Sequence, residues 1–383
     1  MSRRTLRAGL AGGLAAGLAL LGVAAHADPN PNPDVGTPIA GKAPLDLYAG
    51  VGADAFAELS NNFVSQYNAQ SPTPSKLLES YDAVNPVTGA TGLGENITTK
   101  PGCSGIPRPN GANAGINAIA LNQKSTVDPT AFCIDWVRSS RLKGSATTDA
   151  PLTFYAQSRD AVGYAVIGNA YAPTTPLTTA QVRGIFQCTI TDWSEVGGQP
   201  GPIHVYRPST TAATYTFFLT AIGSSVPAVQ TGCGTAGSAA NAQQNDGTTM
   251  KGDPLGIAPY TVTKWAAQSN ADLGANAVVG ILDNRGGTHI GLVNTTTAPT
   301  KDTLFSGVHY QVLNPAYADN AGPSASFGRL FYNVTRNDAP ADLKAIFGPD
   351  GYLCTHADEL LIPYGNTPLG SDTSQTNYCG QAS

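Results

Sequence analysis

The chain has 383 residues, of which 41% are hydrophobic and only 12% are charged, with a formal net charge of −5. This acidic balance excludes a nucleic-acid-binding protein, which needs a basic surface for phosphates, and the ordinary apolar fraction excludes a disordered chain. Because one hydrophobic core rarely serves more than about 250–300 residues, the length predicts two domains.

Residues 1–27 have the pattern of a secretory signal peptide. Three arginines precede an apolar stretch at residues 10–23, and a small-residue cleavage site ends at Ala27. The leader also resembles a twin-arginine signal, so both export routes stay open. No cysteine follows the cleavage site, and no later stretch has about 20 consecutive apolar residues. We therefore expect a secreted or periplasmic product without a lipid anchor or a mature membrane span.

Six cysteines fit an oxidising compartment. Of the possible pairings, the simplest joins successive cysteines: Cys103–Cys133, Cys188–Cys233 and Cys354–Cys379. Each would close a loop of roughly 25–45 residues and stabilise the protein by about 3 kcal/mol. No CxxC pattern or cysteine–histidine cluster occurs, so we expect neither a metal nor a cofactor.

Strands and helices alternate along the chain after a flexible, Pro- and Asn-rich arm at residues 28–44. Strands are predicted at residues 45–51, 80–84, 132–137, 152–155, 162–167, 203–206, 257–259, 278–282 and 308–313. Helices are predicted at residues 55–66, 178–186, 216–222, 262–267, 325–332 and 339–347. This alternation predicts an α/β fold with mostly parallel sheets. A ligand would then bind at the carboxyl ends of the strands.

One run of motifs is specific enough to suggest a family. It comprises TTAQVRGIF at residues 178–186, ITDW at 190–193, VGG at 196–198 and IHVYR at 203–207. The run resembles that of phosphate-binding proteins of ABC transporters, above all their secreted, cysteine-containing actinobacterial branch. Four loops at residues 50–54, 108–115, 138–141 and 209–219 also occur in the order of that family's ligand loops.

The resemblance implies a two-lobed type II periplasmic-binding-protein fold with two crossing strands as its hinge. Lobe 1 would comprise residues 45–150 and 255–383, and lobe 2 residues 151–254. It implies a monomeric, non-enzymatic solute-binding protein that captures a small anion, above all phosphate, with an ABC permease as its expected partner. The absence of a Gly-x-Ser-x-Gly elbow and of a nucleophile–histidine pattern agrees with a protein that has no catalytic residues.

The four loops supply the ligand-binding residues that the resemblance implies. Backbone N–H groups would hold the anion, and arginines would supply charge. The residues are Ala53, Asp54, Arg108, Gly111, Ala112, Asn113, Arg138, Ser139, Ser140, Thr211, Ala212 and Thr214. The neighbouring Arg141 and Arg207 could also bind the ligand or pair with aspartates. The segment 245–248 falls where the family often begins a helix that faces the cleft.

Several family ligands are missing from these loops. Alanines replace the first-loop hydroxyls, Ser140 replaces the third-loop aspartate, and Ala212–Tyr215 stands in place of Ser-Gly-Thr-Arg. Each lost hydrogen bond to a charged ligand would weaken binding roughly 10- to 100-fold. Two alternatives therefore stay open: a surface or adhesion protein with a degenerate cleft, and a binder of an organic phosphate or other organic anion that uses Tyr215.

Two aspartates, Asp135 and Asp160, lie outside these motifs. A pair of carboxylates could act as acid and base. We instead expect each of them to lie at the surface or to pair with an arginine.

Overall fold

The computed structural model describes residues 46–85, 95–168, 171–208, 212–224, 240–278, 280–319, 327–374 and 377–383. The strands are β1 (Leu47–Gly52), β2 (Leu77–Ser80), β3 (Asn96–Ile97), β4 (Ile106–Pro107), β5 (Trp136–Ser139), β6 (Leu152–Ile167), β7 (His204–Val205), β8 (Arg207–Pro208), β9 (Ala240–Ala242), β10 (Gly256–Thr261), β11 (Thr288–Ile290), β12 (Thr300–Phe305), β13 (Val308–Leu313), β14 (Gly328–Arg336) and β15 (Thr367–Pro368). The helices are α1 (Ala57–Asn68), α2 (Ala112–Ala120), α3 (Thr179–Phe186), α4 (Ala213–Ala221), α5 (Val262–Asn270), α6 (Pro315–Ala318), α7 (Ala341–Phe347), α8 (Tyr352–Thr355) and α9 (Ala357–Leu361).

A nine-stranded sheet flanked by helices forms the centre of the molecule, in the order β2-β1-β5-β14-β6-β10-β7, with β11 and β15 also paired to β6. The predicted α/β class is confirmed. The sheet is mixed, however, and the prediction of mostly parallel strands was wrong. Among the described residues of this sheet, the parallel pairs are those of β1 with β2 and β5, and of β10 with β7. Antiparallel pairs dominate the middle because β14, β10, β11 and β15 all run back along β6.

The sixteen-residue strand β6 runs through both halves of the sheet. We predicted two short strands, at residues 152–155 and 162–167, because the polar residues between them interrupt the apolar pattern. These polar residues continue the strand because their side chains find partners in the interior. Ser158 Oγ donates to Asn366 Oδ1 at 2.9 Å, and Asp160 pairs with Arg329.

Two main apolar cores lie along β6. The first core consists mainly of residues from 47–156 and 331–379, and the second mainly of residues from 162–222. The first part of β6 contributes to the first core and its second part to the second core. Strand β10 runs antiparallel to the second part of β6, with Ile257 opposite Val166.

Three predicted elements needed correction. The predicted helix at residues 325–332 is wrong, since 328–336 form strand β14, whose aromatic and β-branched residues favour a strand. The predicted strand at 278–282 is not a strand at its described residues, where Val278 and Ile281 pack on the first core from irregular chain. The strand predicted at 80–84 is β2, which already ends at Ser80.

Two of the three predicted disulfides are confirmed, Cys103–Cys133 and Cys354–Cys379, with Cα–Cα distances of 5.4 and 5.6 Å. Cys188 is also disulfide-bonded, and its predicted partner Cys233 lies outside the described residues. The predicted signal peptide and arm lie outside them too. Within the described part of the chain, no helix is long and apolar enough to cross a membrane, and no cluster of side chains could hold a metal ion.

Candidate functional site

Three of the four predicted loops meet at the carboxyl ends of β1 and β5. The N–H of Gly111 donates to the carbonyl of Gly52 at 3.3 Å, and the N–H of Ala53 donates to the carbonyl of Arg138 at 3.0 Å. Helix α2 lies against β1 because Gly115 has no side chain, and a Cβ there would lie only 2.9 Å from Gly52 Cα. The N–H of Ala53 is therefore already hydrogen-bonded within the protein. The first turn of α2 lies next to it.

Arg138 holds these loops together from within. Its side chain is fully buried, and its Nη1 and Nη2 donate to Ser80 Oγ and to the carbonyl of Tyr81, both at 2.6 Å. Its Nε donates to the carbonyl of Ala53 at 3.2 Å. These bonds tie the ends of β1 and β2 to β5. An anion could reach this guanidinium only if some of them broke.

Arg108 and Arg207 are also engaged by the protein. Arg108 is buried, and its Nη1 donates to the carbonyl of Asp82 at 2.9 Å. Arg207 Nη2 donates to the carbonyl of Phe186 at 3.1 Å and lies 3.2 Å from Cys188 Sγ. Both side chains therefore bind neighbouring groups of the protein and stabilise the fold around them.

Arg141 forms a bidentate ion pair with Asp149, at 2.7 and 2.9 Å. Its Nε also donates to Asn113 Oδ1 at 2.6 Å, which fixes the predicted ligand Asn113 at the start of α2. The hydroxyl of Ser139 donates to the carbonyl of Arg141 at 2.8 Å, so this side chain closes the loop. Ser140, beside it, is buried.

The fourth predicted loop leads into α4. Ala212 is the residue before this helix, Thr214 is buried in its first turn, and Thr211 lies outside the described residues. Ala213 packs in the first core, whereas Tyr215 packs in the second, so the helix begins where the two cores meet. Since Tyr215 is only 1% exposed, its ring is a core residue with no face for stacking on a ligand.

A buried ion pair that the sequence did not identify lies beside the first turn of α4. Arg329 Nε donates to Asp160 Oδ2 at 2.7 Å, and the two side chains are 3% and 0% exposed. Arg329 Nη2 donates to the hydroxyls of Thr214 and Thr261, each at 3.1 Å. The expectation that Asp160 pairs with an arginine is confirmed.

Asn245 extends this group of side chains to the first predicted loop. Its Nδ2 lies 3.4 Å from Asp54 Oδ2, and its Oδ1 accepts from the N–H of Thr261 at 3.0 Å. A second contact joins the segment of Asn245 to the second predicted loop, since Asn110 Nδ2 lies 3.5 Å from Gln243 Oε1. We call the connected group the central polar cluster. Its members are Asp54, Asp160, Thr214, Asn245, Thr261 and Arg329.

The charges of the cluster are nearly balanced. Burial raises the pKa of Asp54, an effect that nearby Lys264 offsets only in part. Burial lowers the pKa of Lys264, but the carboxylates of Glu58 and Asp54 outweigh it and raise that pKa overall. Burial lowers the pKa of Arg329, although Asp160 favours its charged form. Because its acids and cations oppose each other, the cluster has little net charge to attract an anion from a distance.

Helix α4 begins at the cluster, and α2 begins next to the loop that carries Asp54; neither has a side-chain cap among the described residues. Among the described residues, no side chain accepts a hydrogen bond from the first-turn N–H groups of either helix. By contrast, Thr178 and Gln181 form a capping box on α3, and Asp160 Oδ1 accepts from the N–H of Thr263 in α5 at 3.3 Å. Free first-turn N–H groups and the helix dipole together favour an anion.

Sequence reasoning found part of this arrangement. It placed Asp54, Ala212 and Thr214 in ligand loops and singled out the segment that contains Asn245. It missed Arg329 because residues 325–332 were read as a helix, and it gave no role to Thr261. The aromatic and β-branched residues Phe331, Tyr332, Val334 and Thr335 are the signal of a strand that could have revealed it.

The comparisons with known proteins agree with this architecture. Residues 159–331, which include both Asp160 and Arg329, match a family model described as a PBP superfamily domain. The structure of a putative phosphate ABC transporter substrate-binding protein with bound phosphate from Clostridium perfringens is 13% identical, with a TM-score of 0.50, and the match covers 85% of this chain and 100% of that chain. The comparison with curated protein sequences gives no significant match.

Other solved structures are similar at a lower level. An ABC-type phosphate transport receptor from Vibrio cholerae is 14% identical with a TM-score of 0.49, and the match covers 83% of this chain and 98% of that chain. At these identities a structural likeness concerns the fold alone. The predicted resemblance is thereby confirmed at that level: residues 159–331 match the PBP superfamily domain, and the chain has the mixed α/β fold of the Clostridium protein.

Proposed function

We propose that this protein is an exported solute-binding protein that holds a small oxyanion, most simply phosphate, beside the central polar cluster. The observation that carries the proposal concerns α2 and α4, which begin in the second and fourth predicted loops. Helix α2 begins next to the loop that carries Asp54, α4 has Thr214 of the cluster in its first turn, and neither has a side-chain cap among the described residues. Each of these helix N-termini favours negative charge beside it.

The proposed site lies in the interior of the protein. This location strengthens its hydrogen bonds to an anion and so compensates for its small net charge. Most groups of the cluster are buried, so hydrogen bonds to an anion would act in a medium of low dielectric constant, where they are stronger than in water. Protonation of Asp54, which its raised pKa favours, would remove one repulsive charge from the site. Binding would thus depend on directed N–H groups more than on attraction by the whole acidic molecule.

We also propose that the two apolar cores are the cores of two lobes, with residues 45–150 and 255–383 in one and 151–254 in the other. The antiparallel pair β6 and β10 would be the connection between the lobes, because β6 contributes to both cores. Closure of the lobes around the anion would follow the hinge mechanism of binding proteins. The disulfides support export through the leader at residues 1–27. Because the Clostridium protein is a putative substrate-binding protein of a phosphate ABC transporter, we also propose delivery to an ABC permease.

A thermal-shift panel on the exported protein, purified without phosphate, tests this function. Phosphate, arsenate, sulfate and glycerol phosphate are added separately at millimolar concentration. We expect phosphate and arsenate to raise the melting temperature, because a ligand that binds only the folded state stabilises it. Unchanged melting with all four anions would contradict the proposal. A response to glycerol phosphate alone would assign the site to an organic phosphate.

A further inference from the structure

One nitrogen of the buried Arg329 guanidinium has no hydrogen-bond partner in the described part of the chain. Nε and Nη2 donate to Asp160, Thr214 and Thr261, as described above. Nη1 is buried and has no hydrogen-bond partner among the described residues. A buried donor without a partner costs about 1–3 kcal/mol, and more when it is charged. Such a group in the interior indicates that another molecule completes its hydrogen bonding.

The surroundings of Arg329 fix its orientation firmly. Its guanidinium carbon lies 5.5 Å from the ring centres of both Phe217 and Phe331. Phe331 in turn stacks on Phe56, with ring centres 4.3 Å apart, in the turn that follows the first predicted loop. The ion pair with Asp160 fixes one edge of the guanidinium. The side chain therefore needs little rearrangement to donate from Nη1.

Arg329 Nη1 lies near the start of α4, a helix that has no side-chain cap among the described residues. Nη1 and Nη2 share the same carbon, and Nη2 donates to the hydroxyl of Thr214, which lies in the first turn of this helix. The unused N–H groups of the arginine and those of the helix are therefore at one place. Either feature alone could serve only the fold. Together, Nη1 and the first-turn N–H groups are several donors for which the described residues provide no acceptor.

We propose that Arg329 is an anion-binding residue of this protein and that its Nη1 donates a hydrogen bond to the oxyanion held at the first turn of α4. This inference rests on the function proposed above. Asp160 cancels the charge of the arginine, so Arg329 contributes a directed hydrogen bond while the pair adds no net charge. The arginines of the four predicted loops have their own internal partners and serve mainly to position the chain.

Arg329→Lys tests the inference. Lysine keeps a positive charge beside Asp160 but has no second terminal nitrogen to offer an anion. Because a hydrogen bond to a charged group contributes about 1.5–3 kcal/mol, we expect the Kd for phosphate, measured by titration calorimetry, to rise roughly 10- to 100-fold. The matched control is Arg159→Lys, which changes an arginine of the neighbouring strand β6 that pairs with Asp319 at 3.0 Å, and should leave the Kd unchanged.

A second variant decides the matter if Arg329→Lys does not fold. The double variant Asp160→Asn/Arg329→Gln replaces the ion pair by two neutral amides, so no buried charge is left unpaired, but it removes the guanidinium; we expect the Kd for phosphate to rise roughly 10- to 100-fold. An unchanged Kd in folded Arg329→Lys, or in the folded double variant, overturns the inference while the proposed function stands. If the wild-type protein binds none of phosphate, arsenate and sulfate, the proposed function fails, and the inference fails with it.

Discussion

Buried ionisable side chains in this protein occur with partners close by. Asp135 accepts from Lys100 Nζ at 2.5 Å and from the N–H of Ala49 at 2.8 Å, and Asp160 pairs with Arg329. Burial of an isolated charge is strongly unfavourable, so each buried carboxylate needs such compensation. A sequence shows that a partner is needed but not which one. Asp160 and Arg329 are 169 positions apart, and only the antiparallel register of β6 and β14 places them together.

Glu79 is a buried acid with weaker compensation. It lies on β2, and burial raises its pKa to about 7, while Tyr81 and Lys100 lower it only in part. The folded protein thus favours the protonated side chain. As the pH rises from about 4.5 to about 7, the unfolded chain loses this proton before the folded protein does, and the folded state loses stability.

Glu79→Gln should remove this loss. At pH 4 the variant and the wild-type protein should have similar free energies of unfolding, because both side chains are neutral. At pH 8 we expect the variant to be more stable by up to about 3 kcal/mol, since one pKa unit corresponds to about 1.4 kcal/mol. Denaturant unfolding at both pH values measures the difference, with the exposed Glu359→Gln as control. A difference that does not change between pH 4 and pH 8 would contradict the assignment.

At the scale of elements, the proposed site depends on how closely α2 lies against β1. Gly115 faces Gly52 and Val137, and its φ is not positive, so close contact rather than backbone conformation requires glycine here. A Cβ at this position would lie 2.7 Å from Val137 Cγ1. The helix would have to move away from the sheet and would take the first turn of α2 with it.

Gly115→Ala should therefore affect both stability and binding. We expect the free energy of unfolding to fall by about 1–3 kcal/mol, the usual effect of overpacking, and phosphate to bind more weakly. Gly370→Ala is the matched control, because Gly370 is exposed and has open space around it. If Gly115→Ala is as stable as the control variant and binds phosphate equally well, α2 does not set the geometry of the site.

The sequence predicted elements well where local signals exist and poorly where packing decides. Helix α3 was predicted at residues 178–186 because Thr178 or Thr179 can cap its start. The structure has the helix at Thr179–Phe186, with Thr178 as the cap and Gln181 completing a capping box. Helix α4 begins at Ala213, three residues before its predicted start. The start was missed because Ala212 and Ala213 cannot cap a helix with their side chains, so the sequence has no N-terminal signal there. Strand β14 was misread because its burial on both faces removes the alternation typical of half-buried strands. With β14 misread, the arginine that completes the cluster was missed.

At the scale of the whole molecule, the negative net charge agrees with a site that binds its anion through nearby hydrogen-bond donors and not through long-range attraction. The chain is acidic overall, at −5, so its field repels anions at long range. The sheet joins two cores through β6, and the central polar cluster lies where α4 begins between them. An anion bound there would contact groups from both cores and favour their closed arrangement. The predicted two-lobed organisation and this position together form the central claim about the protein.

The most direct test is to locate a heavy analogue of the anion. The protein is crystallised with arsenate, and the anomalous signal of arsenic is measured by X-ray diffraction. We predict one peak between the first turns of α2 and α4, with an arsenate oxygen at hydrogen-bond distance, about 2.7–3.2 Å, from Arg329 Nη1. A map without arsenic at this place, or with arsenic only at another part of the protein, would contradict the claim that the central polar cluster is the binding site.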